Sequence, residues 1–193
     1  MIVGVMASGK KSFADDYGPL AKEVGSTIAE QGFYLLTGGG GGLMKAVGEE
    51  FLTIKPRTGK LISILRAKEF PELRGAKREW EPQADNELGE IVIRTHLPLS
   101  GAEGRDRLSR NHINALTSDL VVVLPGDEGT HSELQLAWEY DKEIMIFLGK
   151  GNVHGKTAEK LMKEFQGITI GHIKTDVEDW LNRKRTNLLS RQK

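Results

Sequence analysis

Five consecutive glycines, residues 38–42, stand between an apolar run (33–37) and a stretch with helical spacing (43–51). A backbone is left this bare where it must approach something closely. Glycine admits positive φ, and each one costs roughly 0.5–1 kcal/mol of ordering relative to alanine in a regular element. The helix that follows offers free N–H groups and the positive end of its dipole, which suits a phosphate. Strand, glycine loop, helix is therefore the unit to look for elsewhere in the chain.

It recurs. Residues 2–7 read as a short apolar strand that meets Ser8-Gly9, and 120–124, the most apolar run, reads as a central strand entering a glycine-containing turn. Further strands are expected at 61–65, 91–97, 143–148 and 168–173, with 91–97 less buried because its polarity is mixed. Helices are expected at 17–31, 43–51, 108–116, 130–140 and 157–165, and a last one opens with Asp176 as N-cap. Alternation of apolar strands with helices implies an α/β, doubly wound, mostly parallel sheet of six or seven strands, covered by helices on both faces. In such sheets ligands bind at the carboxyl ends of the strands, so the loops that follow strands carry the chemistry.

The 193 residues suit one domain, taken as 1–182, followed by a basic tail at 183–193 with five Lys or Arg and no acid. That tail is expected to be solvated and partly disordered. Residues 66–90 are crowded with charge and contain Pro71 and Pro82, which reads as a surface excursion, a lid or a plain loop. Lys+Arg and Asp+Glu are both 27, so the net charge of zero argues against a nucleic-acid partner. With no cysteine, disulfide scaffolds, zinc ribbons, Fe–S clusters and thiol nucleophiles are excluded. No apolar run approaches the ~18–20 residues of a membrane span, and the opening lacks a signal-peptide pattern, so a cytoplasmic protein without a membrane partner is expected.

Three loops stand out. The first is the glycine run itself. It departs from the dinucleotide fingerprint, since Leu43 occupies the place of the third glycine, which counts against a dinucleotide-dependent oxidoreductase. The near-match to a P-loop at residues 4–11 has Lys11 where a hydroxyl should meet magnesium. The second loop runs from Pro125 through Gly126, Asp127, Glu128, Gly129 and Thr130 to Glu133. Gly129 and Thr130 sit where a helix should begin and can meet an anion. Glu133, three residues after Thr130, is either its capping-box partner or a carboxylate at the mouth of the crevice. The third loop, residues 105–112, opens a helix with Arg105, Arg107 and Arg110, any of which can hold an anion or simply face water. The five histidines show no metal-ligand spacing, so no metal is expected, and Ser8 lacks the surroundings of a hydrolase nucleophile.

Taken together, GGGGGLM ending at Met44, SRN at Ser109, Arg110 and Asn111, and PGDEGTHSE from Pro125 to Glu133 resemble the LOG (Lonely Guy) family and its relatives. Arg110 lies fifteen residues before Pro125, which matches the family pattern. Many relatives carry the label lysine decarboxylase, but nothing in the three loops suggests a pyridoxal phosphate site. The resemblance implies a Rossmann-like fold, no cofactor, a homodimer or higher homo-oligomer, and a nucleoside 5′-monophosphate as ligand. It implies hydrolysis of the N-glycosidic bond of cytokinin nucleotides or AMP to free base and ribose 5-phosphate. The catalytic pair carries over onto Arg110 and Glu133. The phosphate loops carry over onto Gly39, Gly40, Gly41 and Gly42 and onto Gly129 and Thr130, with Ser8 and Gly126 beside them. A second branch, the molybdenum cofactor carrier proteins, binds its ligand without hydrolysing it, and the wording SRN at Ser109 to Asn111 with SD at Ser118 and Asp119 is equally similar to that branch.

One residue departs from the pattern: Asp127 stands where the family's motif has its second glycine. Two like unit charges about 4 Å apart repel by ~4 kcal/mol at an effective dielectric near 20. So Asp127 must turn away from a bound phosphate, meet a cation, or signal a different ligand.

Overall fold

The computed structural model describes residues 1–66 and 88–190. The expected lid or loop at 66–90 therefore falls almost wholly outside the described residues. In chain order the elements are β1 (Ile2–Met6), α1 (Lys11–Glu30), β2 (Tyr34–Thr37), α2 (Gly42–Thr53), β3 (Leu61–Leu65), β4 (Ile91–Arg94), a 3₁₀ turn (Gly101–Glu103), α3 (Asn111–Thr117), β5 (Leu120–Val123), α4 (Glu128–Glu139), β6 (Glu143–Ile146), α5 (Ala158–Glu164), β7 (Thr169–Ile170) and α6 (Lys174–Ser190).

The seven strands form one sheet in the order β4-β3-β2-β1-β5-β6-β7, and every pairing is parallel. The chain runs outward from β1 to β4, then returns across β1 to continue at β5. The order reverses between β1 and β5, and there the loops after the two strands part to leave a crevice.

The apolar strands serve two cores at once. Val3, Val5, Leu120 and Val122 point to one face, where Val24, Ile28, Val47, Phe51 and Trp180 of α1, α2 and α6 cover them. Met6, Val121, Val123 and Ile146 point to the other, against Ala115, Leu134 and Leu161 of α3, α4 and α5. Strand side chains alternate with period two, so burial on both faces demands an uninterrupted apolar run. The Rossmann-like α/β fold and the strand number agree with the sequence reading. β4 is an edge strand with Ile91 and Ile93 exposed, in keeping with its mixed polarity.

Most helix boundaries shift by one or two residues from expectation, α4 starting at Glu128 rather than 130, and three starts carry a structural reason. α1 begins at Lys11, six residues before the expected start, and breaks at Tyr17 (φ −125°, ψ 15°). Pro19 lacks the N–H that would continue the ladder across that point. α3 begins at Asn111, because Ser109 is held in a bridge to Leu99. In α6, Asp176 is not the N-cap. Its carboxylate reaches back to accept the N–H groups of His172 (2.7 Å) and Ile173 (3.1 Å) from inside the first turn.

The basic tail also differs from expectation up to Ser190, since it continues α6. The Arg185 guanidinium lies 4.1 Å over the Phe33 ring and donates to the Gln31 carbonyl. The remaining tail, 191–193, lies outside the described residues. Among the described residues no helix is long and apolar enough to cross a membrane.

Candidate functional site

The loops after β1, β2 and β5 are bound to one another before any ligand enters. Ser8 is the fastener. Its N–H donates to Pro125 O (3.2 Å), its carbonyl accepts from Leu43 N (2.9 Å), and its hydroxyl accepts from Lys10 N (3.2 Å). Gly42 makes the close approach possible. Its φ is +54°, and a Cβ there would lie 2.5 Å from Lys10 O and 2.7 Å from Ser8 O. Gly42→Ala therefore meets both a left-handed backbone and main-chain atoms that cannot step aside. It is expected to cost more than ~2 kcal/mol, lowering the midpoint of urea unfolding and distorting both loops together. An alanine variant with wild-type stability would remove Gly42 from this role.

The crevice is a cavity of about 260 Å³. It brings together six of the sequence-derived residues: Gly40, Gly41, Arg110, Gly129, Thr130 and Glu133. The other four do not line it. Ser8 and Gly42 lock the loops from behind, Gly39 packs against the Leu65 side chain, and Gly126 leaves room for Thr130. Thr130 is 2 % exposed, and its hydroxyl is buried without a partner.

Arg110 is the N-cap residue of α3, yet only 6 % of it is exposed. Its guanidinium donates to the Ile64 carbonyl at the end of β3 and lies against Gly38, where a Cβ would stand 2.8 Å from Nη2. Its Nε is buried without a partner. Burial works against its charge, Glu133 supports it, and Arg66 opposes it. Arg105, by contrast, forms a surface pair with Glu139 (2.6 Å), and Arg107 is exposed. Of the three arginines in that loop, one enters the site and these two face water.

Glu133 is 6 % exposed, on the second turn of α4. The capping-box alternative fails. Asp127 is the N-cap, which makes Thr130 the third helical residue, and the Glu133 carboxylate accepts from Asn114 Nδ2 at 2.8 Å. Burial pushes the carboxyl up from 4.5, Arg110 and the Asn114 bond pull it back, and Asp127 adds to the rise. Arg110 and Asn114 lie four residues apart on one helical turn. A single element thus supplies the buried cation and the hydrogen-bond donor for Glu133.

The sequence reading missed the role of Asn114, and also Ser100 and Gly101 before α3 and Asn111 at its first position, which line the cavity. Asn111 Nδ2 donates to Ser132 Oγ (3.2 Å), which in turn donates to Gly129 O (2.8 Å), so it braces the start of α4. The motif wording contained both asparagines, but nothing in spacing marks their partners. Asp127, the departure from pattern, meets a cation. Its Oδ2 lies 2.8 Å from Lys10 Nζ.

The fold recurs in solved structures. The molybdenum cofactor carrier protein of Chlamydomonas reinhardtii superposes with a TM-score of 0.69 at 24% identity, covering 96% of this chain and 98% of that one. The molybdenum cofactor binding protein of the phototrophic bacterium Rippkaea orientalis gives 0.65 at 22% identity, with 94% and 95% covered. DNA processing protein A of Helicobacter pylori, described for its binding of single-stranded DNA, gives 0.66 at 14% identity, with 95% and 80% covered. At these identities the likeness is one of fold. A search of curated proteins gave no match. The model of the SLOG cluster4 family matches residues 1–179, nearly the whole chain, and the protein belongs to that family.

Proposed function

We propose that the crevice binds a nucleoside 5′-monophosphate and hydrolyses its N-glycosidic bond, as the LOG-type members of this superfamily do. The observation that carries the reading is the confinement of Glu133 and Arg110, both 6 % exposed, to one cavity with the glycine loops. Gly41, Gly129 and Thr130 supply backbone N–H groups for the phosphoryl group, and Arg110 supplies the charge. With the phosphate anchored, the C1′–N bond lies over the Glu133 carboxylate. As that bond breaks, its electron pair leaves with the base and positive charge grows on the ribose, which the carboxylate stabilises. Water adds its oxygen to C1′, and its proton passes through Glu133 to the departing base. Asn114 holds the carboxylate in place.

The test is chromatographic. Pure protein is incubated with AMP or an isopentenyladenine nucleotide, and free base is measured, with Glu133→Gln alongside. Base from the wild type alone supports the reading. Nucleotide binding without base release ends it.

That second outcome belongs to the alternative, a non-catalytic carrier or sensor of a phosphorylated nucleotide or pterin, such as molybdenum cofactor. The observation that favours it is Asp127, a full acidic side chain where the hydrolytic pattern has glycine, lining the cavity. Two proteins that share this fold, from C. reinhardtii and R. orientalis, carry or bind molybdenum cofactor. In either reading the ligand is a small molecule. The zero net charge supports that over a DNA strand, although the H. pylori protein with this fold binds one. We also propose one cytoplasmic domain that assembles as a homo-oligomer, which light scattering on the purified protein tests directly.

A further inference from the structure

Aspartate is among the strongest N-cap residues, because its carboxylate accepts the N–H of the second or third helical residue. Asp127 holds that place on the twelve-residue α4 and makes no such bond. Its carboxylate is drawn to Lys10 Nζ, 2.8 Å away on the loop after β1. Lys10 is itself the N-cap residue of α1, where the helix dipole disfavours a cation, and no acid in the first turn offsets it. At that helix end its charge is therefore unfavourable to α1, and its exposed ammonium pairs with the Asp127 carboxylate. The helix end that Asp127 would cap opens instead on the cavity. Beside it the Thr130 hydroxyl, on a residue 2 % exposed that lines the same cavity, has no partner.

We propose that Lys10 is a positioning residue of the anion site: it holds the Asp127 carboxylate off the start of α4, so that the N–H groups of Gly129 and Thr130 remain available to the phosphoryl group of a ligand. Without Lys10, Asp127 swings onto its own helix end and acts as an internal anion in the place of the ligand. The proposal rests on the phosphate reading of the preceding subsection and goes beyond it. It explains how an acidic residue is tolerated in an anion site and names the residue that makes this possible.

The test is a double-mutant cycle with Lys10→Met and Asp127→Gly, using inorganic phosphate and AMP as calorimetric probes. Lys10→Met is expected to weaken binding about tenfold, the scale of one helix cap expressed as affinity. In the Asp127→Gly background the same change is expected to cost almost nothing. An equal loss in both backgrounds would mean that Lys10 touches the phosphate directly, and no loss in either would mean that it does nothing. Both results overturn the proposal.

A ligand-free arm separates this from the phosphate reading. Amide hydrogen exchange at Gly129 and Thr130 is expected to slow in Lys10→Met and to return to the wild-type rate in Lys10→Met/Asp127→Gly. Exchange unchanged in Lys10→Met overturns the proposal whatever binds. Slowed exchange in a protein that takes no phosphate supports the Lys10–Asp127 arrangement and removes the phosphate reading instead.

Discussion

Glu133→Gln is expected to abolish base release and to make the protein more stable at neutral pH. A positioned carboxylate that takes part in proton transfer contributes about 10²–10⁴-fold, and glutamine keeps its shape while losing its charge and basicity. Glutamine Oε1 still accepts from Asn114, so the local packing survives.

The stability effect follows from the direction of the Glu133 shift. Burial raises the carboxyl above 4.5 even with the attraction of Arg110 included. The native state thus holds this proton more tightly than the unfolded chain does. Stability is fully present below the unfolded value, and it falls as pH rises from there through the native value. A neutral glutamine escapes that loss. At pH 7 the variant should melt above the wild type. Near pH 4 the two proteins should melt together. The same shift places the acid limb of kcat/KM above 4.5. A Tm difference independent of pH, or turnover retained by Glu133→Gln, would refute the argument.

The second large effect is at Arg110. Arg110→Met removes a buried guanidinium with little change in volume. Truncating one partner of a buried, hydrogen-bonded charge contact costs about 2–5 kcal/mol, so affinity for AMP or phosphate should fall at least ~30-fold. Arg110→Lys should not restore it, because an ammonium cannot at once reach the Ile64 carbonyl and hold a phosphate in the planar fork of arginine. Glu133 also loses the cation that restrains its rise. The acid limb of any residual activity should therefore move to higher pH in Arg110→Met, which a loss of packing alone would not produce. Wild-type phosphate affinity in Arg110→Met would take this residue out of the binding role.

Calorimetry with phosphate and melting curves across pH 4–8 would examine both residues on the same protein preparations. The two outcomes are separable. Glu133→Gln should bind ligand and fail to turn it over, whereas Arg110→Met should fail at binding. If both variants bind and neither the wild type nor the variants release base, the carrier reading gains and Asp127 becomes the residue to revert to glycine.

Local periodicity and loop chemistry carried a large part of this molecule. The unbroken apolar runs at β1 and β5 signal a parallel sheet buried on both faces, because two cores must be fed by one strand. The glycines after β2 and β5 mark the loops at the carboxyl edge, and the motif spacing singled out Arg110 and Glu133. Where the reading failed, a tertiary contact had replaced a local rule. Thr130 and Glu133 have capping-box spacing, but Asp127 starts α4 earlier and Asn114 takes the carboxylate. Asp176 looks like an N-cap and instead binds backward from within the first turn of α6. The basic residues after Leu181 look like a loose tail, yet Arg185 finds Phe33 and the Gln31 carbonyl. By itself the sequence determined which segments are strands and which loops between strand and helix are bare of side chains. Only the tertiary structure decided that the strand order reverses between β1 and β5. That reversal sets Lys10 against Asp127 and Asn114 against Glu133, pairings between segments far apart in the chain that no local periodicity encodes.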